Sequence, residues 1–181
     1  MLPVGILIGL GALAYSTGPF PLSHHGLGDV AVLLFFGIVP VTLTCYLQEG
    51  GWQALSLSLP TSVAIGLLAV NVLVVNNYRD MEDDCSVGKH TTVVLFGRKV
   101  MGAFYLFSGM LAMLVMLPVW LHLPAWALIA PIIYLLLHFR TWHRLKHSLG
   151  AALNSLLGET ARNLLLFALL LLLGCLLLIL V

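Results

Sequence analysis

The segment from residue 76 to residue 91, NNYRDMEDDCSVGKHT, concentrates the ionisable side chains of this chain. Only 8% of the 181 residues are charged, yet four of the seven carboxylates lie between Asp80 and Asp84. Carboxylates at the edge of a bilayer are costly to retain, which favours a functional role. Mg²⁺ prefers oxygen ligands and is usually held by one or two carboxylates together with substrate phosphates. The cluster therefore predicts a site where Mg²⁺ holds a diphosphate.

The spacing of these carboxylates predicts which of them act together. If residues 70–84 form a helix, Asn76, Asp80 and Asp84 lie on one face, Asp83 lies beside them and Glu82 points away. Carboxylates one helical turn apart repel each other unless a cation lies between them. Asp80 and Asp84 are therefore the candidate metal ligands.

Two cations of the same segment, Arg79 and Lys89, are candidates to bind the phosphate oxygens that a metal leaves uncovered. The alternative is that this charge run is only a solvated loop. Asn76 and Asn77 argue against it, because they end an otherwise apolar segment and amides in a membrane need partners.

The composition of the chain places this cluster in a membrane protein. Hydrophobic residues make up 61% of the chain and the mean hydropathy is +1.08, above the values of soluble domains. The net charge of +1 gives no basic surface for nucleic acid, and the three cysteines are too widely spaced for a zinc site. We predict an all-α, polytopic transmembrane bundle in one domain, residues 1–181. Its expected spans are 2–17, 29–48, 53–77, 100–121, 124–139 and 161–181.

The basic residues predict the orientation of these spans. All eight fall in the loop after the third span or between the fifth span and the start of the sixth: Arg79, Lys89, Arg98, Lys99, Arg140, Arg144, Lys146 and Arg162. The positive-inside rule places that side in the cytoplasm, with the acidic cluster, and the chain in the plasma membrane if it is bacterial. The loop before Asp29 falls on the same side, so Asp29 is expected near the cluster. Met1 is expected on the opposite side.

A second polar stretch, FRTWHRLKH, follows the fifth span and is flanked by His138 and includes His143 and His147. The spacing of the histidines permits a metal site, but an interfacial segment facing anionic headgroups is the favoured interpretation.

Two strings of the sequence resemble one protein family. NNYRDMEDDCSVGKHT is similar to NNxRDxExDxxxGKxT, the second aspartate-rich motif of the 1,4-dihydroxy-2-naphthoate prenyltransferase branch of the UbiA superfamily. GLGDVAVLLFFG, residues 26–37, resembles that branch's GLGDxxVFxFFG. The two strings occur in the expected order, and the resemblance extends to LFGRK at residues 95–99 and to the last span.

The resemblance implies a bundle of about nine membrane helices around a cavity. It implies Mg²⁺-dependent transfer of a prenyl group from a polyprenyl diphosphate to 1,4-dihydroxy-2-naphthoate, as in menaquinone biosynthesis. Asp80 and Asp84 would be metal ligands and, with Lys89, catalytic. Asn76, Asn77, Arg79 and Lys89 would bind diphosphate, and Asp29 would lie in a loop that caps the cavity.

The family's first motif, NDxxDxxxD, does not occur in this sequence. We therefore expect the chain to be the C-terminal portion of a UbiA-like protein, and its activity to need the first motif. A truncated or split-enzyme subunit that is not catalytic by itself, with the motif on a separate chain, stays open. So does another aromatic acceptor, such as homogentisate, 4-hydroxybenzoate or a porphyrin. The acidic cluster does not match the arrangement of CDP-alcohol phosphotransferases, and a transporter would place its carboxylates nearer mid-span.

Overall fold

The computed structural model describes residues 2–49, 51 and 55–180. The described chain is built of helices joined by turns, which confirms the all-α prediction. In chain order the α-helices are α1 Leu2–Ser16, α2 Gly28–Leu33, α3 Val39–Glu49, α4 Leu55–Arg79, α5 Met81–Ser86, α6 Thr92–Val115, α7 Leu117–Trp120, α8 Ile129–Leu145 and α9 Ala152–Leu180. Short 3₁₀ turns cover Leu22–His24 and Ala125–Leu128, and a π-helical segment, Leu34–Ile38, joins α2 to α3.

Five helical stretches are long and apolar enough to cross a membrane: Gly28–Glu49, Leu55–Arg79, Thr92–Val115, Ala125–Leu145 and Ala152–Leu178. The first expected span is also a helix, but α1 has only 15 residues where a typical crossing needs about 20. Residues 53, 54 and 181 of the expected spans, and Met1, lie outside the described residues.

One of the spans begins earlier than the sequence predicted, and another has a break near its start. Helical structure of α6 begins at Thr92, where the Thr91 side chain accepts a hydrogen bond from the Val94 amide and caps the first turn. Gly97 interrupts the helix with φ +77°, so the continuous part of α6 begins close to the expected residue 100. α9 begins at Ala152 rather than near residue 161. Glu159 lies within it because its carboxylate is paired with Arg144 of α8. The ion pair allows a charge inside a helix that hydropathy alone excludes.

α4 is the central helix and packs against α2, α3, α6 and α9. Its closest neighbour is the π-helical segment, where Gly37 faces Gly66. A Cβ added to Gly37 would lie 2.4 Å from the Gly66 Cα and 2.6 Å from the Ser62 carbonyl oxygen. Small residues allow membrane helices to approach this closely. The contact fixes the GLGD segment against the helix that carries the second motif.

A polar layer lies inside the apolar core between α4, α6, α8 and α9. His138 is 1% exposed and its ring stacks between Tyr105 and Tyr134, with ring centroids 4.6 and 5.3 Å away. Ser108 donates a 2.6 Å hydrogen bond to the Asn71 side chain. The interfacial interpretation of His138 is therefore wrong, because Tyr105 of α6 and Tyr134 of the same helix enclose its ring, and the pattern of one segment does not reveal the contact with α6. His143 and His147 are exposed at the end of the bundle, as expected.

Candidate functional site

The loop before α2 and the loop before α6 meet at the end of the bundle. The backbone N–H of His90 donates a 2.9 Å hydrogen bond to the carbonyl of His24, and the strand-like pairing continues at His25. Gly26 turns the first loop with φ +72°, and a Cβ there would lie 2.8 Å from the Leu95 side chain. The second motif and the GLGD string are thus joined through their backbones.

A polar cavity of about 190 Å³ opens where these loops meet. It brings together four of the predicted site residues: Asp29, Asn76, Asn77 and Lys89. The structure therefore places Asp29 beside the second motif. Residues that sequence reasoning did not single out for this site complete the lining: Tyr15, Ser16, Ser23, His24, Gly26, Gly28, Leu73, Thr91 and Thr92.

Asp80 lies at a break in the helix that carries the motif, and both oxygens of its side chain accept hydrogen bonds. α4 ends at Arg79 and α5 begins at Met81, although the Asp84 N–H still donates to the Asp80 carbonyl at 2.8 Å. Arg79 donates to both carboxylate oxygens of Asp80, at 2.6 and 2.8 Å, and to the Asn76 side-chain oxygen at 2.9 Å. These hydrogen bonds from Arg79, assisted by the charge of Lys89, hold the pKa of the Asp80 carboxyl below its ordinary value.

Asp84 is more buried than Asp80 and only half satisfied. Its side chain is 9% exposed, and the Lys89 ammonium lies 3.0 Å from Oδ1. Its Oδ2 is buried without a hydrogen-bond partner among the described residues, and the same holds for Oδ1 of Asp29. Unpaired buried carboxylate oxygens are costly, so each marks a position where a ligand would be stabilising.

Lys89 connects the carboxylates to the polar cavity. The residues that line the cavity include Lys89 and Asn76 rather than Asp80 or Asp84 themselves. Lys89 contacts Asp84 directly, and its charge helps to lower the pKa of Asp80. The turn before Lys89 needs a glycine, because Gly88 has φ +72°.

Glu82 points away from Asp80 and Asp84, as the helical spacing predicted. Its carboxylate accepts two 2.9 Å hydrogen bonds from Arg98 of α6, which lower the Glu82 pKa. Arg98 also donates to the Tyr78 carbonyl at 3.0 Å. Glu82 and Arg98 thus fasten α5 to α6. Asp83 is exposed and contributes to neither group.

An apolar cavity of about 480 Å³ adjoins the polar one. Gly26, Asp29 and Thr92 line both cavities. The remaining walls of the apolar cavity are side chains of the spanning helices: Val30, Leu33, Leu67, Val70, Phe96, Val100, Met101 and Phe104. The pair of cavities suits an amphiphile with an anionic head and a long hydrocarbon tail.

Asn154 of α9 is a site neighbour that sequence reasoning missed. Its side-chain oxygen accepts a 3.3 Å hydrogen bond from Arg79. Asn154 lies 75 positions from Arg79 in a segment with no motif, so only the fold reveals the contact. A polar residue in the first turn of a helix whose C-terminal half is apolar was the available signal.

The side-chain oxygens of this site suit Mg²⁺ only if a further ligand supplies the remaining oxygen atoms of the metal shell. Among residues 2–49, 51 and 55–180, no three His, Cys, Asp or Glu side chains are grouped so that they could hold a metal ion. Mg²⁺ needs only one or two protein carboxylates when phosphate oxygens complete its shell. The unpartnered Oδ2 of Asp84, one turn from Asp80, meets that requirement.

The fold defines a multi-pass helical membrane protein with a polar site at one end of its bundle. The family model described as UbiA prenyltransferase family matches residues 1–156. The chain therefore belongs to the UbiA prenyltransferase family. No solved structure matches the chain significantly.

Similar curated proteins show which members of the family this chain resembles. The chain is 43% identical over 94 residues, 52% of its length, to a 1,4-dihydroxy-2-naphthoate octaprenyltransferase of Haemophilus influenzae, covering 30% of that protein. It is 43% identical over 88 residues, 49% of its length, to the enzyme of that name in Escherichia coli, covering 28% of it. It is 33% identical over 98 residues, 54% of its length, to a 2-carboxy-1,4-naphthoquinone phytyltransferase of Synechocystis, covering 31% of it. The matched part thus covers less than a third of each relative's length.

Proposed function

We propose that the protein transfers a polyprenyl group from its diphosphate to 1,4-dihydroxy-2-naphthoate. The observation that carries this proposal is the junction of the two cavities at Asp29, with Lys89 and the motif carboxylates on the polar side. An allylic polyprenyl diphosphate has the matching division into an anionic head and an apolar tail. The names of the relatives support a naphthoate acceptor.

In this proposal the diphosphate occupies the polar cavity. Lys89 and Arg79 bind its oxygens, and the amides of Asn76 and Asn77 complete the hydrogen bonds. The carboxylates of Asp80 and Asp84 would hold Mg²⁺, which would supply positive charge against the negative charge that develops on the leaving group. Arg79 would then exchange a hydrogen bond to Asp80 for one to a phosphate oxygen.

The apolar cavity holds the prenyl chain and keeps water from the allylic carbon. The C–O bond to diphosphate breaks, and a C–C bond forms between the allylic carbon and the ring carbon that bears the carboxylate. The carboxylate then leaves as CO₂, and the electron pair of the broken ring–carboxylate bond returns to the ring and restores its aromaticity. Phe96 and Phe104 line this cavity and present aromatic faces that stabilise developing positive charge.

The activity is proposed for a protein in which a further aspartate-rich motif faces this site. Such a motif supplies the carboxylates for the rest of the metal shell. By the same reasoning the isolated chain would show no turnover. A subunit that binds diphosphate but needs a second chain for chemistry is the alternative, and the isolated chain would then regain activity only with that partner.

The test is a prenyl-transfer assay in proteoliposomes with Mg²⁺, a polyprenyl diphosphate and 1,4-dihydroxy-2-naphthoate. The chain is joined to the preceding helices of the Escherichia coli relative. Asp84→Asn and Asp80→Asn are each expected to lower kcat by about 100-fold or more, because each removes charge that stabilises the transition state. Asp83→Asn is the matched control, because it removes an exposed carboxylate of the same cluster. Full activity in Asp84→Asn, or equal loss in the control, would contradict the assignment.

A further inference from the structure

A third cavity, of about 440 Å³, is formed by the end of α4, α6 and the turn from α8 to α9. It has no lining residue in common with the polar cavity. Its polar lining side chains are Arg98, Lys99, Lys146, Tyr78, Trp142 and Ser148. We call it the basic cavity.

The basic cavity carries an excess of positive charge. Arg98 is neutralised by Glu82, with a hydrogen bond of 2.9 Å from each terminal nitrogen. Neither Lys99 nor Lys146 has an ion pair in the part of the chain that the structure describes. Two uncompensated ammonium groups therefore remain. The cavity thus offers donors and charge to an anion.

The other walls of the basic cavity are apolar. Leu145, Leu149 and Ala103 line it beside the ring of Trp142. The Lys146 ammonium lies 4.5 Å from the centre of that ring, which directs its charge over the cavity wall. The indole N–H of Trp142 already donates to the Gly102 carbonyl at 2.9 Å, so the ring is fixed in place. Trp and Lys at the end of a spanning helix mark the membrane interface.

We propose that the basic cavity binds the headgroup phosphate of an anionic phospholipid. Lys99 and Lys146 contact the phosphate, and Leu145 and Leu149 contact the adjoining acyl chain. Free phosphate shares the anionic chemistry. The structure favours the lipid, because the cavity lies at the ends of spanning helices and half of its lining is hydrocarbon. Basic clefts between membrane helices bind anionic lipids by this combination.

The test is lipid binding to the purified chain in detergent, followed by native mass spectrometry during titration with phosphatidylglycerol or phosphatidylcholine. The wild-type chain is expected to retain one phosphatidylglycerol and no phosphatidylcholine. The double substitution Lys99→Gln/Lys146→Gln is expected to weaken that binding about 30-fold, since each interfacial charge contributes about fivefold. Both lysines are exposed, so the fold is retained.

The matched control is Arg140→Gln/Arg162→Gln, which removes two exposed charges that do not line the basic cavity. Its phosphatidylglycerol binding is expected to equal that of the wild type. Equal weakening in both double variants, or equal binding of the two lipids, would overturn the proposal. A further arm adds inorganic phosphate at 100-fold molar excess over lipid. No displacement supports the lipid, whereas displacement assigns the site to free phosphate and overturns the lipid assignment. None of these outcomes depends on prenyl transfer.

Discussion

At the scale of residues, the two motif aspartates, Asp80 and Asp84, are both candidate metal ligands, but their surroundings differ. Asp80 has both oxygens bonded by Arg79, whereas Asp84 has one oxygen on Lys89 and one without a partner. The helical spacing predicts that they share a face, although Asp80 itself lies at the break between α4 and α5. The spacing did not predict that Arg79 binds Asp80 rather than projecting toward a phosphate. The rotamers of adjacent residues depend on their three-dimensional surroundings.

The Asp84–Lys89 pair provides a prediction at this scale. Lys89→Gln leaves the nearly buried Asp84 carboxylate without its cation and is expected to lower the free energy of unfolding by about 1–3 kcal/mol. Asp84→Asn in the same chain removes the charge that needs pairing. The double variant is therefore expected to lose less free energy of unfolding than the two single variants lose together, with a coupling energy of about 0.5–3 kcal/mol. Denaturant titration in mixed micelles measures all three variants.

The control for that cycle is Asp83→Asn, an exposed position whose loss is expected to stay within about 0.5 kcal/mol. Additive losses at Asp84 and Lys89 would show that the 3.0 Å contact does not contribute to stability.

At the scale of elements, the site depends on how closely two segments approach. The π-helical segment Leu34–Ile38 coincides with the FFG of the GLGD string and with the Gly37–Gly66 contact. A π-helical turn contains one extra residue, which changes the direction of the neighbouring side chains. Such π-bulges are frequent at functional sites. Asp29 lies on the turn before this segment, so the contact positions Asp29 relative to α4.

Gly37→Ala is expected to destabilise the protein by about 1–3 kcal/mol, because the added carbon meets backbone atoms of α4 that have no rotamer to change. Gly158→Ala in α9 is the matched control, since nothing lies within 4 Å of its added carbon. Alanine there is expected to stabilise the helix by about 0.5–1 kcal/mol. Thermal unfolding in detergent compares the two, and equal Tm changes would contradict the close packing of Gly37.

Some features of the helices could be predicted from the sequence and others could not. Hydropathy located the spans because long apolar runs are a local property. It failed at Glu159, where the ion pair with Arg144 extends α9 into polar sequence. The sequence pattern also failed at His138, because its burial depends on Tyr105 of α6 as well as on Tyr134 one turn away in α8. The motif strings predicted the meeting of Asp29 with Asn76, because their spacing relative to the spans puts both at one end of the bundle.

At the scale of the whole molecule, charge and cavities are concentrated at one end. The polar cavity, the basic cavity and the exposed histidines of the α8 end all lie where α4 and α8 finish and α6 and α9 begin. The opposite end, around α7, carries His122 as its only ionisable side chain between Leu117 and Leu128. From this asymmetry the positive-inside rule predicts that the end with the basic loops faces the cytoplasm.

The native cysteines make this orientation measurable. Cys85 is exposed on α5, whereas Cys45 and Cys175 are only partly accessible and lie within spanning segments. A membrane-impermeant maleimide is therefore expected to label the chain in inverted membrane vesicles but not in intact cells, and Cys85→Ser is expected to abolish that labelling. Adding His122→Cys to Cys85→Ser places a thiol at the exposed opposite end, so labelling should move to intact cells. If the two thiols are labelled from the same side, or Cys85 is labelled in intact cells, the cytoplasmic placement of the site is wrong.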